Sequence, residues 1–458
     1  MSSGVDAARP RSARRIPVYR TIPRLIRDPL GGLQAIAKET GGEIVRLNLG
    51  LFRPYLVTDP EHVHQVLRDH AGTFVREGMF WTPLERLLGG AILTDGPAWE
   101  WSRRTLQPML TAKRIDALMD RMSDAVEQAV AGLDQFARSG EPFDVSTEMG
   151  RIVNQTVIRV FFADRVSVIE ADRIIPALHD IAKAFVFRMV LPWVPNAVPM
   201  PGDRVFRRGA QIIDEVLLPA IDRFRREPDD GDDIIATLCR SRDSEGRALT
   251  EQQIRDDVVT MFVAATETTS LALTWLWPNL GAQPAVAVRL CEEVDRVVGG
   301  GPVQRSHLPD LHYLRAVLDE LVRLYPTGWI LPRKAAQSAD VGGVRIPAGA
   351  TVLISPFLTQ RMDMYWDRPG VFDPDRFLPE RSAERHRYAY FPFGGGPHQC
   401  IGKHLFQVEA QLIVATMLTR FRPGPALSDV PPPQVAATLL PERRVQMTLR
   451  PVQRRLAA

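Results

Sequence analysis

Phe393-Gly394-Gly395-Gly396-Pro397-His398-Gln399-Cys400-Ile401-Gly402 is the stretch that decides how this 458-residue chain reads. A lone cysteine is usually a small buried hydrophobe. This one is approached by an aromatic residue and three glycines, and a further glycine follows two residues later. Backbone without side chains can pass close to a flat group. The apolar residues beyond it (Leu405, Phe406, Val408, Ala410, Leu412, Ile413, Val414, Met417, Leu418) predict a buried helix. The cysteine then stands just before a helix N-terminus, where amide dipoles favour the thiolate over the thiol. A thiolate in such a place can bind a metal.

Working outward, the chain is 45% hydrophobic and 24% charged, a balance that suits a large buried core. A net charge of +3 is too mild to imply nucleic acid. Three cysteines, Cys239, Cys291 and Cys400, argue against a disulfide framework and fit a reducing compartment. Cys239 and Cys291 lie in helix-like segments and read as core thiols. No run approaches the roughly 20 apolar residues of a membrane span. Residues 1–29 are basic and proline-rich, without the apolar region of a signal peptide, and read as a flexible arm. The expected location is cytoplasmic.

Residues 43–57 alternate around a glycine turn and predict a hairpin. From about 60 to 300 the periodicity is helical, with Pro and Gly breaks. Strand patterns return at 340–357 and 435–449. This is a mainly α (α+β) protein, a helical body with small peripheral sheets. Two further motifs stand out. Met261-Phe262-Val263-Ala264-Ala265-Thr266-Glu267-Thr268-Thr269-Ser270 places an acid among hydroxyls inside an apolar helix, where Thr is a poor fit. Glu320-Leu321-Val322-Arg323 puts an acid and a base one turn apart, a weak signal by itself.

The pattern Phe-x-x-Gly-x-x-x-Cys-x-Gly resembles the haem-binding loop of the cytochrome P450 superfamily. The order of helices and strands resembles that family's single-domain fold over residues 30–450, with 30–458 expected as the monooxygenase domain. The resemblance implies haem b with Cys400 as axial ligand, its thiolate favouring O–O cleavage. Glu267 and Thr268 match the oxygen-activating helix, where a carboxylate and hydroxyl deliver protons. Ala265 stands where the family more often has Gly. Glu320 and Arg323, with Arg376 in Phe372-Asp373-Pro374-Asp375-Arg376-Phe377, match a buried ion network beneath the haem. Trp99, Arg103 and Arg333 match residues that meet the haem propionates. His398 stands where Arg is usual, and its charge depends on pH. Phe393 is expected to shield the sulfur, with Gly402 close by.

The same resemblance lines the substrate pocket with Phe80, Trp81, Leu88, Phe185, Met189, Phe262, Ala264, Trp329, Ile330 and Leu439, an apolar set that suits an apolar small molecule. Arg188-Met189-Val190-Leu191-Pro192, Trp329-Ile330-Leu331-Pro332-Arg333 and Ser355-Pro356-Phe357-Leu358-Thr359-Gln360-Arg361 resemble actinobacterial members that oxidise terpenes in secondary metabolism. A monomer using O2 is therefore expected. Its electrons would come from NAD(P)H through ferredoxin reductase and ferredoxin, since no flavin or Gly-x-Gly-x-x-Gly dinucleotide unit is evident. Arg381, Arg385, Arg387 and Lys403 are candidate docking cations. The alternative keeps the fold and changes the reaction to peroxide-driven oxidation, oxygen-independent rearrangement or nitrogen-centred chemistry.

Overall fold

The computed structural model describes residues 11–452 apart from 83, 84, 86–88, 90, 164, 168, 171, 172, 175, 178, 179, 182–197, 243, 244 and 425–428. The chain divides into two compact units, each gathered from separate segments. The first comprises residues up to Arg76, Asp319–Cys400 and Pro433–Leu440. The second comprises Glu77–Leu318, Ile401–Pro432 and the residues from Pro441 onward.

The first unit is built on a six-stranded sheet of short strands. In chain order these are β1 (Arg14–Ile16), β2 (Val45–Leu47), β3 (Tyr55–Val57), β4 (Phe74–Val75), β5 (Leu331–Ala335) and β6 (Thr351–Ile354). They lie in the order β1-β2-β3-β6-β5-β4. The predicted hairpin is β2 against β3, antiparallel with Val45 opposite Leu56. Alternating apolar residues put Tyr55, Val57, Phe74, Val352 and Ile354 into one core with Tyr388 and Phe391. That core therefore holds the lead-in to the cysteine loop. Antiparallel pairing of β5 with β6 sets Arg333 opposite Val352.

The stretch expected as a flexible arm carries structure from Arg11 onward. β1 adds in parallel to β2, and Arg11 N–H donates to the Gly343 carbonyl at 2.9 Å. A helix follows at Val18–Arg27, with the Thr21 hydroxyl buried on the Pro17 carbonyl. Arg20 and Arg24 reach Glu39. Their basic character masked an amphipathic pattern whose charged face is paired locally.

The second unit is helical. Its axis is a 32-residue helix, Glu251–Ala282, started by a capping box between Thr250 and Gln253. It packs against Val145–Phe162, whose N-terminus is capped by Asp144, and against Asp203–Arg226. Val145–Phe162 in turn packs on Met119–Ala131, and Lys403–Arg420 lies against both Met119–Ala131 and the long helix. Among the described residues the long helix is the one apolar enough to cross a membrane, a run the sequence reading passed over; two thirds of its most apolar window is buried inside the protein. Cys239 and Cys291 sit on the helices Ile234–Arg240 and Pro284–Val298 and are half-buried, less enclosed than core thiols.

Candidate active site

In the first unit the three loop glycines have different reasons to be glycine. Gly394 has φ +68°, and a side chain there would point into space with Leu331 Cδ1 as near as 3.8 Å. This is a cradle open to a flat group. Gly395 lies on the ring of Tyr388, which a Cβ would meet at 2.5 Å. Gly396 has φ +66° and faces the Leu67 carbonyl too closely for any Cβ. Backbone bonds fix the turn: Gly394 N–H to Phe391 O at 2.9 Å, Gln399 N–H to Gly396 O at 3.1 Å, and Cys400 N–H to Phe393 O at 2.9 Å. Cys400 is exposed, in contrast to the other two cysteines. Gly402 then takes the N-cap position of Lys403–Arg420. Phe393, His398 and Gly402 are all half-buried.

Beneath this loop Glu320, Arg323 and Arg376 come together. Arg323 Nε donates to Glu320 Oε2 at 2.6 Å and its Nη2 to Oε1 at 2.8 Å, with both side chains fully buried. Arg376 Nε is 3.4 Å from Glu320 Oε1. The remaining Arg323 donors go to the carbonyls of Gln360, Pro369 and Val371. Gln360 extends the network. Its amide N–H₂ donates to the Arg323 carbonyl at 2.8 Å, and its Oε1 accepts from Phe391 N–H at 2.9 Å. One side chain thus joins the ion pair to the residue that begins the cysteine loop. Arg333 is buried, with Nη1 donating to the Pro332 carbonyl. Trp329 Nε1 donates to the Ala436 carbonyl at 3.1 Å, which holds the Trp329–Ile330 segment to the turn before buried Leu439.

In the second unit the middle of the long helix breaks its own pattern. Ala264 and Glu267 are exposed and Thr268 and Ala265 half-buried, between fully buried turns on either side. The helix runs unbroken through Ala265. The Thr268 hydroxyl donates to the Ala264 carbonyl at 2.7 Å, which leaves its oxygen lone pairs as acceptors. Trp99 and Arg103 share the helix Pro97–Leu106, and Arg103 Nε donates to Gln107 at 3.0 Å. Phe80 and Trp81 are half-buried, whereas Phe262 is buried with its ring 5.9 Å from Phe162. Leu88, Phe185 and Met189 lie outside the described residues.

The cytochrome P450 family matches residues 10–449 of the chain. The chain belongs to that family. Its curated relatives include pentalenene oxygenase of Streptomyces avermitilis, 30% identical over 95% of this chain and 96% of that one. Cyclooctatin synthase of Streptomyces melanosporofaciens is 33% identical, covering 92% of each chain. Cyclooctat-9-en-7-ol 5-monooxygenase of the same organism is 31% identical over 90% of this chain and 88% of its own. The haem domain of cytochrome P450DA superposes with a TM-score of 0.84 over 97% of this chain and 98% of that one, at 23% identity, a likeness of fold. This P450 is a haem-thiolate monooxygenase, and its family's reaction uses O2 and electrons from a redox partner. The family's cofactor is haem b on a cysteine thiolate. The residues of the first unit fit that group: an exposed thiol at the end of a loop whose Gly394 face is open, with Arg333 as a cation for a carboxylate.

Sequence reasoning missed Glu409. It is fully buried on Lys403–Arg420, and burial pushes its carboxyl up to about 8, against a pull from the Thr269 hydroxyl. The signal was an acid inside the apolar run Leu405–Leu418. Because the folded-state pKa is raised, the unfolded chain gives up this proton near pH 4.5 and the folded one near pH 8. The group's contribution to stability is therefore full below pH 4.5 and is lost as pH rises through about 8. Glu409→Gln should match the parent at pH 5 and exceed it at pH 8.5, by about 2–5 kcal/mol. Urea midpoints at the two pH values check this, and equal pH slopes for both proteins would contradict it.

Two candidate docking cations are otherwise engaged. Arg385 stacks on Trp366 and Phe377 at 4.3 and 4.8 Å, and desolvation lowers its pKa. Arg381 donates to Asp373 at 3.0 Å.

Proposed function

We propose that this P450 oxidises an apolar terpenoid with electrons from a ferredoxin, and that the cytoplasm is its location. The observation that carries the substrate class is the run of relatives named for terpenoid oxidations, aligned over nine tenths of the chain or more. The residues that the family resemblance assigns to the pocket support it: Phe80, Trp81 and Ala264 in the second unit and Trp329, Ile330 and Leu439 in the first all carry apolar side chains or rings. Exposed Arg387 remains a docking cation for an acidic partner.

When bound, haem supplies redox chemistry and O2 activation, with Cys400 as its thiolate ligand. Residues 30–458 then work as one monooxygenase domain. Arg333 of the first unit, and Arg103 and Trp99 of the second, would hold haem carboxylates, and His398 would add a donor. Glu320, Arg323 and Arg376 keep the cysteine loop in place. Phe393 shields the sulfur from water. Thr268 accepts and passes a proton at Oγ1, with Glu267 as the exposed carboxylate that recharges it. Glu409, protonated at neutral pH beside Thr269, stores a further proton.

Thr268→Ala tests the relay. Cofactor content and substrate affinity should match the parent, while most of the NAD(P)H consumed appears as released hydrogen peroxide rather than oxygenated product. Coupling equal to the parent's would assign the proton to another group.

A further inference from the structure

Asp257 lies in the first half of the long helix, eleven residues before Thr268, or roughly 16 Å along the axis. Its side chain is 2% exposed. The Ser102 hydroxyl donates to both carboxylate oxygens, at 3.3 Å to Oδ1 and 3.2 Å to Oδ2. The backbone N–H groups of Ala91 and Ile92 also donate to it. Three neutral donors from two different elements thus converge on one carboxylate. A buried carboxylate is commonly matched by a cation; here the adjacent Arg255 turns instead to Asp214 at 2.7 Å and Asp256 at 2.9 Å. Asp256 faces the same loop from the other side, since a Cβ on Gly89, at φ +70°, would meet its carboxylate at 2.6 Å. Arg255 therefore ties the long helix to Asp203–Arg226, and Asp257 ties it to the turn Ala91–Leu93 and to Pro97–Leu106, while Asp256 packs against Gly89.

We propose that Asp257 is a positioning residue: it fixes the turn Ala91–Leu93 and the helix bearing Trp99 and Arg103 against the long helix, and so sets access to the pocket. This rests on the reading above, in which Phe80, Trp81, Trp99 and Arg103 serve the site. Ser102 is the residue before Arg103, so its bond to Asp257 sets the rotation of the helix that presents Arg103. Burial raises the Asp257 carboxyl to about 6, opposed by its donors and aided by Asp256. Of the groups packed against it, Asp256 on its own helix carries charge. Pro97–Leu106 presents the Ser102 hydroxyl, and Ala91–Leu93 presents amides. Protonation weakens acceptance from all three donors.

The test uses the haem-loaded full chain as parent, Asp257→Asn and Ser102→Ala. Hydrogen exchange is followed by mass spectrometry at pH 5–8, corrected for intrinsic rates, and 4-phenylimidazole association by the Soret shift. In Asp257→Asn the amides of Ala91 and Ile92 should exchange at least ten-fold faster, with Val145–Phe162 unchanged and azole association several-fold faster. Ser102→Ala should shift both in the same direction by less, which keeps the test alive should Asp257→Asn fail to fold. Parent protection at 91–92 should fall as pH drops through about 6, and that dependence should vanish in Asp257→Asn. Unchanged exchange at 91–92 overturns the proposal. Faster exchange with an unchanged azole rate also overturns it, leaving a structural contact. A parent that gives no azole shift refutes the haem reading instead, and the exchange data still decide whether Asp257 holds the loop.

Discussion

Cys400→Ser is expected to leave a folded protein without a thiolate-type spectrum. The cysteine loop is shaped by backbone bonds that do not involve the sulfur: Gly394 to Phe391, Gln399 to Gly396 and Cys400 N–H to Phe393. Its glycines are fixed by Tyr388 and by the Leu67 carbonyl, which the substitution does not touch. Serine has nearly the same shape, so the loop should persist. A hydroxyl does not ionise near neutral pH and is a poor donor to iron. Neither remaining cysteine can replace the ligand. Cys239 and Cys291 are half-buried on helices, and burial raises both thiols. The reduced, CO-bound spectrum checks this beside far-UV circular dichroism. The expected result is native ellipticity and complete loss of the red-shifted thiolate band. A retained thiolate band would mean that another residue binds the iron.

Arg323→Ala carries the second large effect, on stability and cofactor retention. It leaves the Glu320 carboxylate fully buried, with Asp373 N–H at 2.8 Å and Arg376 at 3.4 Å as its remaining partners. It also strands the carbonyls of Gln360, Pro369 and Val371, each of which loses its guanidinium donor. Removing one partner of a buried pair costs about 3–5 kcal/mol. The damage reaches the site through Gln360, whose carbonyl loses the Arg323 Nη1 donor at 2.7 Å while its side chain accepts from Phe391 N–H. The purified variant should hold much less haem than the parent and unfold at lower denaturant. Arg323→Lys should rescue little, because an ammonium cannot make the forked pair and reach three carbonyls together. Parent-like haem content in both variants would show that the network does not hold the loop.

The cysteine loop and its following helix were legible because their residue types leave few alternatives: glycines beside an isolated thiol, then a long apolar run. Glu320 and Arg323 are four letters in a weak pattern, and what gave them weight was the distant Arg376 segment. Gln360 shows where sequence stops. It stands inside the motif at 355–361, yet its bridge from Arg323 to Phe391 joins positions 31 and 37 residues away and exists only in the fold. The N-terminal stretch was misread because arginine and proline content hid a helix whose cations pair with Glu39. Phe262 lies in the oxygen-helix motif, and its contact with the Phe162 ring, 100 residues earlier, exists only in the fold. Glu409 and Asp257 escaped because a single acid on a helix says nothing of depth. Burial, which sequence does not report, is what moves their carboxyls to about 8 and about 6.

The most direct test of the substrate class is a Soret titration of the purified ferric protein with cyclic terpene hydrocarbons and oxidised terpenoids, beside macrolides, fatty acids and indoles. The account predicts a saturable low-to-high-spin shift with a terpenoid and none with the other classes. A saturating shift with a macrolide, fatty acid or indole, and silence across the terpenoids, would contradict it.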